Sequence, residues 1–235
     1  MATVSSGDSG LKNSSVDILD AARFRVCLYT IIFTVVIAVT VSILFAPGWM
    51  TATFFAALIM IVLSGFIIVR RDALGAKFMM FCLAAGFVEL LADWYLINIH
   101  RSLTYIPGGP FVWASPLYMP FAWTVTLFMN GVIGRWADRR WGLAAATVLT
   151  VLLAWATWIY GETAAKYAGW WYYHDTPMLA SSPYYIIFGE ILIAGLLPLT
   201  FRVLNRIPWL ANIGVGIVFG LWIFISYWVG IQIFG

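Results

Sequence analysis

The sequence predicts an all-α, polytopic integral membrane protein with seven transmembrane helices. Hydrophobic residues make up 63% of the 235 positions and charged residues only 10%, against about 25% charged in an ordinary soluble domain. A soluble protein of this size must cover its exterior with polar groups, so the composition excludes a soluble enzyme and a disordered scaffold. A net charge of +3, without a long basic run, also argues against a nucleic-acid partner.

The apolar runs supply the predicted spans, because about 20 residues cross a hydrocarbon core of about 30 Å. Residues 1–15 are polar and are predicted to be a disordered tail, followed by a short initial helix over Val16–Arg25. Residues 16–235 then form a single membrane domain. The seven predicted spans are Val26–Phe45, Met50–Val69, Ala76–Ile99, Pro116–Gly134, Leu143–Tyr160, Pro183–Phe201 and Trp209–Phe234.

The distribution of lysine and arginine predicts the orientation. With the N-terminus in the cytoplasm, 11 of the 13 basic residues lie on the inner side, and only Arg101 and Lys166 lie on the outer side. Cytoplasmic loops of membrane proteins carry such an excess of basic residues. We therefore expect a cytoplasmic N-terminus, an external C-terminus and a location in the inner (cytoplasmic) membrane.

Three acidic residues, Glu89, Asp93 and Glu190, fall inside predicted spans, whereas Glu162 is assigned to the second outer loop, Gly161–Ser182. An ionised carboxylate in a bilayer is costly, so such residues are candidate catalytic groups. At the usual helical rise the three lie about 15, 9 and 10 Å below the outer surface. The only basic residue in a span, Lys77, lies at the inner end of the third span, twelve residues before Glu89. No basic residue therefore neutralises these acids, and we predict that Glu89 or Asp93 is protonated near neutral pH. The alternative is a structural hydrogen bond from a protonated acid.

Aromatic residues concentrate on the outer side, near these acids. They form either an aromatic belt at the water interface or the wall of a pocket that stabilises a carbocation. The face that carries Glu89 and Asp93, spaced i, i+4, continues to His100 at the outer mouth. The candidate substrate-binding residues are Trp94, His100, Tyr118, Trp123, Trp171 and Tyr185.

A weak internal repeat relates two helix beginnings. The segment SPLYMPFAW at Ser115–Trp123 aligns with SPYYIIFGE at Ser182–Glu190, at a shift of 67 residues. If the repeat is real, helices three–four and five–six are parallel units. Otherwise two unrelated helices begin alike, since proline is common in a first turn.

The sequence lacks the residues that several other kinds of membrane protein require. The seventh span has no lysine for a retinal Schiff base, and two histidines are too few for a metal-dependent desaturase. We therefore expect no metal and no cofactor. A single surface metal held by His100, His174, Asp175 and Glu162 is a weaker alternative. Gly216 and Gly220 fit either close packing within the chain or a homodimer face.

The order of these features resembles the bacterial and archaeal carotenoid hydratases and the small integral-membrane lycopene cyclase domains. The matching parts are Glu89, SPLYMPFAW at Ser115–Trp123, and GWWYY followed by SPYYIIFGE, which ends at Glu190. A lone Glu190 stands here where the cyclase motif ends in paired acids. The resemblance implies proton-initiated chemistry on an isoprenoid chain, without a metal or redox cofactor.

The predicted function is that of an integral membrane hydratase or cyclase of isoprenoid lipids. Glu89 or Asp93 would protonate a double bond, and Glu190 or the other member of the pair would accept a proton or orient water. The expected partners are an apolar lipid or isoprenoid substrate and membrane lipids. The alternative is a non-catalytic subunit of a membrane complex or a proton-coupled small-solute carrier, which inverted repeats would favour.

Overall fold

The computed structural model describes the backbone of residues 7–46 and 48–235, and side chains from Ile18 onward except at positions 39, 43 and 47. Within these ranges the protein is mostly helical, with seven helices, and each predicted span overlaps one of them. The helices are α1 Gly7–Phe45, α2 Trp49–Val69, α3 Ala73–Asn98, α4 Met119–Trp141, α5 Leu143–Ala168, α6 Tyr184–Leu204 and α7 Trp209–Phe234.

The N-terminal part of α1 includes residues 7–15, for which the sequence predicts a disordered polar tail. Residues 1–6 of that tail lie outside the described residues, and α1 begins at Gly7. The short initial helix predicted over Val16–Arg25 is continuous with the first span rather than separate from it.

Six of the described helices are long and apolar enough to cross a membrane, and α4 is the exception. Helix α4 packs against α1, α2, α3, α5 and α6. Because protein surrounds α4, it does not need an apolar face toward lipid and can carry Asn130 and Arg135. The Arg135 guanidinium lies over the Phe78 ring, 5.7 Å from its centroid.

Short extended segments occupy the end of the bundle where α3 and α5 finish. Strand β1, Leu103–Tyr105, pairs with β4, Trp171–Tyr173, in antiparallel register with Thr104 opposite Tyr172. Two hairpins complete this end: β2, Phe111–Val112, with β3, Ser115–Pro116; and β5, Met178–Leu179, with β6, Ser182–Pro183.

The two hairpins have the same backbone structure at the shift of 67 residues found in the sequence. Each tip contains one non-glycine residue in the left-handed region, Trp113 at φ 57° and Ala180 at φ 56°. Each following helix begins after equivalent bonds, from the Leu117 amide to the Pro110 carbonyl and from the Tyr184 amide to the Pro177 carbonyl. Helices α3–α4 and α5–α6 are therefore parallel repeats, and the first strand of each repeat, β1 and β4, pairs with the other.

Glycines bring α7 against α3 of the same chain. A Cβ added to Gly220 would lie 2.8 Å from the Ala85 carbonyl oxygen, and one added to Gly216 would clash with the carbonyl of Phe81. Such close backbone approach is typical of small-residue helix interfaces in membranes. Both glycines thus pack within the chain, which is the first of the two uses that the sequence predicts for them; the other is a homodimer face.

Ion pairs join the helices at the opposite end of the bundle. Buried Arg23 of α1 binds Asp20 and Asp72, and the Asp72 carboxylate also caps α3 by accepting from the Gly75 amide at 2.9 Å. Arg139 binds Asp20 as well. These contacts connect α1 to the beginning of α3 and the end of α4.

Candidate active site

A cavity of about 250 Å³ lies inside the bundle, between α4 and the helices around it. Four carboxylic acids line it: Glu89, Asp93, Glu162 and Glu190. All four are buried, at 9% exposure or less. No lysine, arginine or histidine is among the described residues that line the cavity.

Glu89 and Asp93 form a pair one turn apart on α3. Their carboxyl groups are neighbours that interact with each other, and Trp123 lies near Glu89 on the wall of the same cavity. Glu89 Oε2 is buried and has no hydrogen-bond partner among the described residues. The pair can therefore share one proton, and Glu89 is the member with an oxygen that no described residue binds.

Two hydroxyl groups from the extended segments fix Asp93. The Tyr105 phenol and the Ser115 hydroxyl each donate to Asp93 Oδ2 at 2.7 Å. Burial and the nearby Asp93 and Glu89 carboxyls raise the pKa of Tyr105 well above its usual range. Tyr105 therefore keeps its proton at neutral pH and remains a donor to Asp93.

Glu162 is a site residue that the sequence places in a loop. Helix α5 continues to Ala168, beyond the predicted end at Tyr160, so Glu162 lies within the helix. Its carboxylate accepts from the Trp171 indole at 2.8 Å and from the Tyr173 hydroxyl at 3.2 Å. Burial and Glu162 raise the pKa of Tyr173, so this phenol also stays protonated.

The internal repeat is the signal that could have identified Glu162. A shift of 69 residues carries Asp93 onto Glu162, and a shift of 68 carries Tyr105 onto Tyr173. Each half of the repeat thus supplies one buried carboxyl that accepts a hydrogen bond from a tyrosine of the β1–β4 pair. The two shifts differ by one residue because the connections between helix and strand differ in length.

Glu190 and the aromatic side chains complete the acidic end of the cavity. Glu190 Oε2 is buried and has no partner in the described part of the chain. The Trp123 ring lies 6.2 Å from that of Trp158 and 6.3 Å from that of Tyr227, between centroids. All three rings line the cavity and place π faces near the acids.

The six candidate substrate-binding residues divide into two groups. Tyr118, Trp123 and Trp171 line the cavity, whereas Trp94, His100 and Tyr185 are not among its lining residues. Trp94 stacks on Trp113 near the bundle end, with 5.6 Å between centroids.

The other two residues of the second group belong to one hydrogen-bonded chain. The His100 ring and the Tyr185 hydroxyl are joined through the Ser102 hydroxyl, over two bonds of 2.7 Å. Burial lowers the pKa of His100. These side chains tie the first extended segment to the beginning of α6 and do not line the cavity.

Helices α1 and α2 supply the apolar wall of the cavity. Each helix contributes residues at the spacing i, i+3, i+4, i+7, which is one face of a helix. The residues are Ile31, Thr34, Val35 and Ala38 of α1, and Ala52, Phe55, Ala56 and Ile59 of α2. The cavity is therefore acidic and aromatic at one end and apolar along one side.

A metal site does not arise in the described part of the chain, where no three His, Cys, Asp or Glu side chains come together to hold an ion. The chemistry available is that of carboxylic acids, phenols and indoles. Such groups can donate and accept protons and can surround a cation with aromatic faces.

The fold and the cavity define a multi-pass helical membrane protein with a buried cluster of carboxylic acids. Residues 90–234 match a family model described as a domain of unknown function (DUF6989). That match covers more than half of the chain, and the protein belongs to this family. It includes Asp93, Glu162 and Glu190, but not Glu89, α1 or α2. No curated protein matches the chain, and no solved structure does.

Proposed function

We propose that the protein is an integral membrane enzyme that hydrates or cyclises an isoprenoid or related lipid by protonating a carbon–carbon double bond. One observation carries the proposal: four buried carboxyl groups line a single cavity, without a basic residue among the described residues that line it. Ionising all four there would be very costly, so the cavity stores at least one proton on a carboxylic acid.

Glu89 is the proposed proton donor. Its side chain lines the cavity and its Oε2 has no partner among the described residues, whereas Asp93 beside it is held by Tyr105 and Ser115. In the proposed step the π electrons of the double bond take the proton from Glu89. A cation forms on the other carbon, and Glu89 becomes a carboxylate. Trp123 and Trp158 stabilise that cation through their ring faces.

Glu190 and Glu162 are the proposed proton acceptors. Hydration ends when water attacks the cation and gives its proton to one of these carboxylates. Cyclisation ends when a second double bond attacks the cation and a neighbouring C–H gives up its proton. In either case the proton returns to Glu89 and no net acid is consumed, so the cycle needs no redox partner.

The cavity volume limits how much of a substrate can be enclosed. A 150 Å³ protein cavity holds benzene, which corresponds to about 25 Å³ for each carbon. On that scale the 250 Å³ cavity encloses about ten heavy atoms. A long isoprenoid such as a carotenoid would insert only one end, and the remainder would lie in the bilayer.

The excess of basic residues at the end opposite the extended segments supports a cytoplasmic N-terminus, with the acids in the outer half of the cytoplasmic membrane. Parallel rather than inverted repeats remove one feature that would favour a carrier.

Deuterium labelling tests the function. Membranes containing the protein are incubated in deuterium oxide with acyclic isoprenoids of increasing length, and the products are analysed by mass spectrometry. A proton-initiated reaction places one solvent deuterium on carbon. Glu89→Gln should lower this incorporation at least about 100-fold.

The matched control is Asp175→Asn, which removes an exposed carboxyl outside the cavity and should leave incorporation unchanged. Equal incorporation by the Glu89→Gln and wild-type proteins would refute the role of Glu89. No incorporation from any isoprenoid by the wild-type protein would refute the proposed function.

A further inference from the structure

Asn130 lies on the cavity wall with half of its amide group unsatisfied. Its Nδ2 donates to the Thr126 carbonyl at 2.9 Å, and this bond sets the orientation of the amide. The remaining atom, Oδ1, is buried without a hydrogen-bond partner among the described residues, and Asn130 as a whole is 2% exposed. A buried carbonyl oxygen without a donor costs free energy, so this atom marks a place where a ligand donor would bind.

Few other polar groups on the α1, α2 and α5 sides of the cavity are free to donate a hydrogen bond. The α1 and α2 residues that line the cavity are apolar except for Thr34, whose hydroxyl already donates to the Thr30 carbonyl at 2.8 Å. The Thr157 hydroxyl of α5 likewise donates to the Leu153 carbonyl, at 2.9 Å. Asn130 Oδ1 is therefore a buried acceptor without a partner on the wall of a cavity whose α1 and α2 sides are largely apolar.

The distance from Asn130 to the acids defines the length of the ligand. Asn130 follows Trp123 by seven residues on α4, which is about 10 Å along the helix axis. Trp123 lies near Glu89 on the wall of the same cavity. A ligand whose double bond is at Glu89 would then place a donor group about 10 Å away. This length matches the cavity's capacity of about ten heavy atoms.

We infer that Asn130 binds the hydroxyl group of an isoprenoid alcohol, whose far double bond lies against Glu89. A pure hydrocarbon would leave Asn130 Oδ1 buried and unsatisfied, so the site discriminates against it. The inference rests on the proposed function for the fate of the double bond, but the hydroxyl contact can be measured by binding alone.

Competition binding tests the contact. The protein in lipid nanodiscs binds tritiated geraniol, which is displaced by unlabelled geraniol or by geranyl methyl ether, the analogue without a hydroxyl donor. Geraniol should compete about five- to tenfold better than the ether, the ratio expected for one net hydrogen bond. In Asn130→Leu the two should compete equally.

Asn98 supplies the matched control. Its Nδ2 donates to the Trp94 carbonyl at 2.9 Å, the same i to i−4 contact that Asn130 makes, but Asn98 is exposed at the end of α3. Asn98→Leu should keep the preference for geraniol. If the leucine variant of Asn130 does not fold, Asn130→Ala replaces it with the same expected result.

The outcomes separate this inference from the proposed function. Equal competition in the wild-type protein, a preference that survives in Asn130→Leu, or no saturable geraniol binding would each overturn the inference. A preference that depends on Asn130, with no deuterium incorporation from any isoprenoid, would support the hydroxyl site and refute the enzyme. Glu89→Gln should lose incorporation and keep the preference.

Discussion

Gly161 is the position at which the size of the cavity can be changed with the least disturbance. It lies on α5 beside Glu162 and lines the cavity, in line with Thr157 one turn earlier. A Cβ added to Gly161 would meet nothing within 4 Å. A larger side chain there would extend into the cavity rather than into a neighbouring helix.

The effect of Gly161→Leu follows from the volumes. At about 25 Å³ for each carbon, a leucine side chain occupies about 100 Å³ of the 250 Å³. The remaining space holds about six heavy atoms. Forcing a longer ligand into that space costs about 1–3 kcal/mol of overpacking, so geraniol should bind at least about fivefold more weakly. Prenol, its half-length analogue, should bind as it does to the wild-type protein.

The assay is displacement of tritiated geraniol from nanodiscs by geraniol and by prenol. Gly214→Leu is the control, because Gly214 is an exposed α7 glycine at which an added Cβ also meets nothing. Both substitutions raise helix propensity by about 0.8 kcal/mol, so lost binding would not come from a weaker helix. Unchanged geraniol affinity in Gly161→Leu would refute the cavity as the binding site, and so would an equal loss in Gly214→Leu.

Two further substitutions test the packing that holds the site. Tyr105→Phe removes the 2.7 Å hydrogen bond to Asp93 and should lower the stability of the purified protein by about 1–3 kcal/mol; an unchanged melting temperature would contradict the role of this bond. Gly220→Ala places a Cβ 2.5 Å from that of Val88 and should cost about 1–3 kcal/mol, measured by the same melting assay. Gly214→Ala, which adds its Cβ in open space, should leave the stability unchanged or raise it by up to about 0.8 kcal/mol through helix propensity, and equal effects of the two alanines would contradict the tight α3–α7 contact.

The helices could be predicted from the sequence because the bilayer imposes their length. A backbone in hydrocarbon must satisfy its hydrogen bonds within the helix, so an apolar run of sufficient length is a helix almost regardless of its neighbours. This reasoning identified even α4, whose apolar run Pro116–Gly134 overlaps the helix despite its polar residues. Its central position explains why α4 is less apolar than the others, and that position depends on contacts distant in the sequence.

The position of Glu162 within α5 could not be predicted from hydropathy. The apolar run of the fifth span ends near Tyr160, but the helix continues to Ala168, and Gly169 ends it in the left-handed region at φ 70°. Hydropathy reports where lipid contact ends, not where the helix ends. The direction of the Trp171 and Tyr173 side chains could not be predicted either. They share one face of β4 because they are two residues apart, but the pairing with β1 decides which face meets α5.

Helices α1 and α7 occupy equivalent places beside the repeat, yet among the described residues α1 contributes four side chains to the cavity wall and α7 contributes Tyr227 alone. Helix α7 packs on α3 and α6, and α1 packs on α5 and α4, the corresponding pair. On α7, glycines such as Gly220 and Gly230 let the backbone approach its neighbours and leave no space. Between Val26 and Phe45, α1 has no glycine, so its side chains limit how closely its backbone can approach α4 and α5. Acids occur in both halves of the repeat, so the glycine content of the covering helices, rather than the placement of the acids, accounts for the side on which the cavity lies.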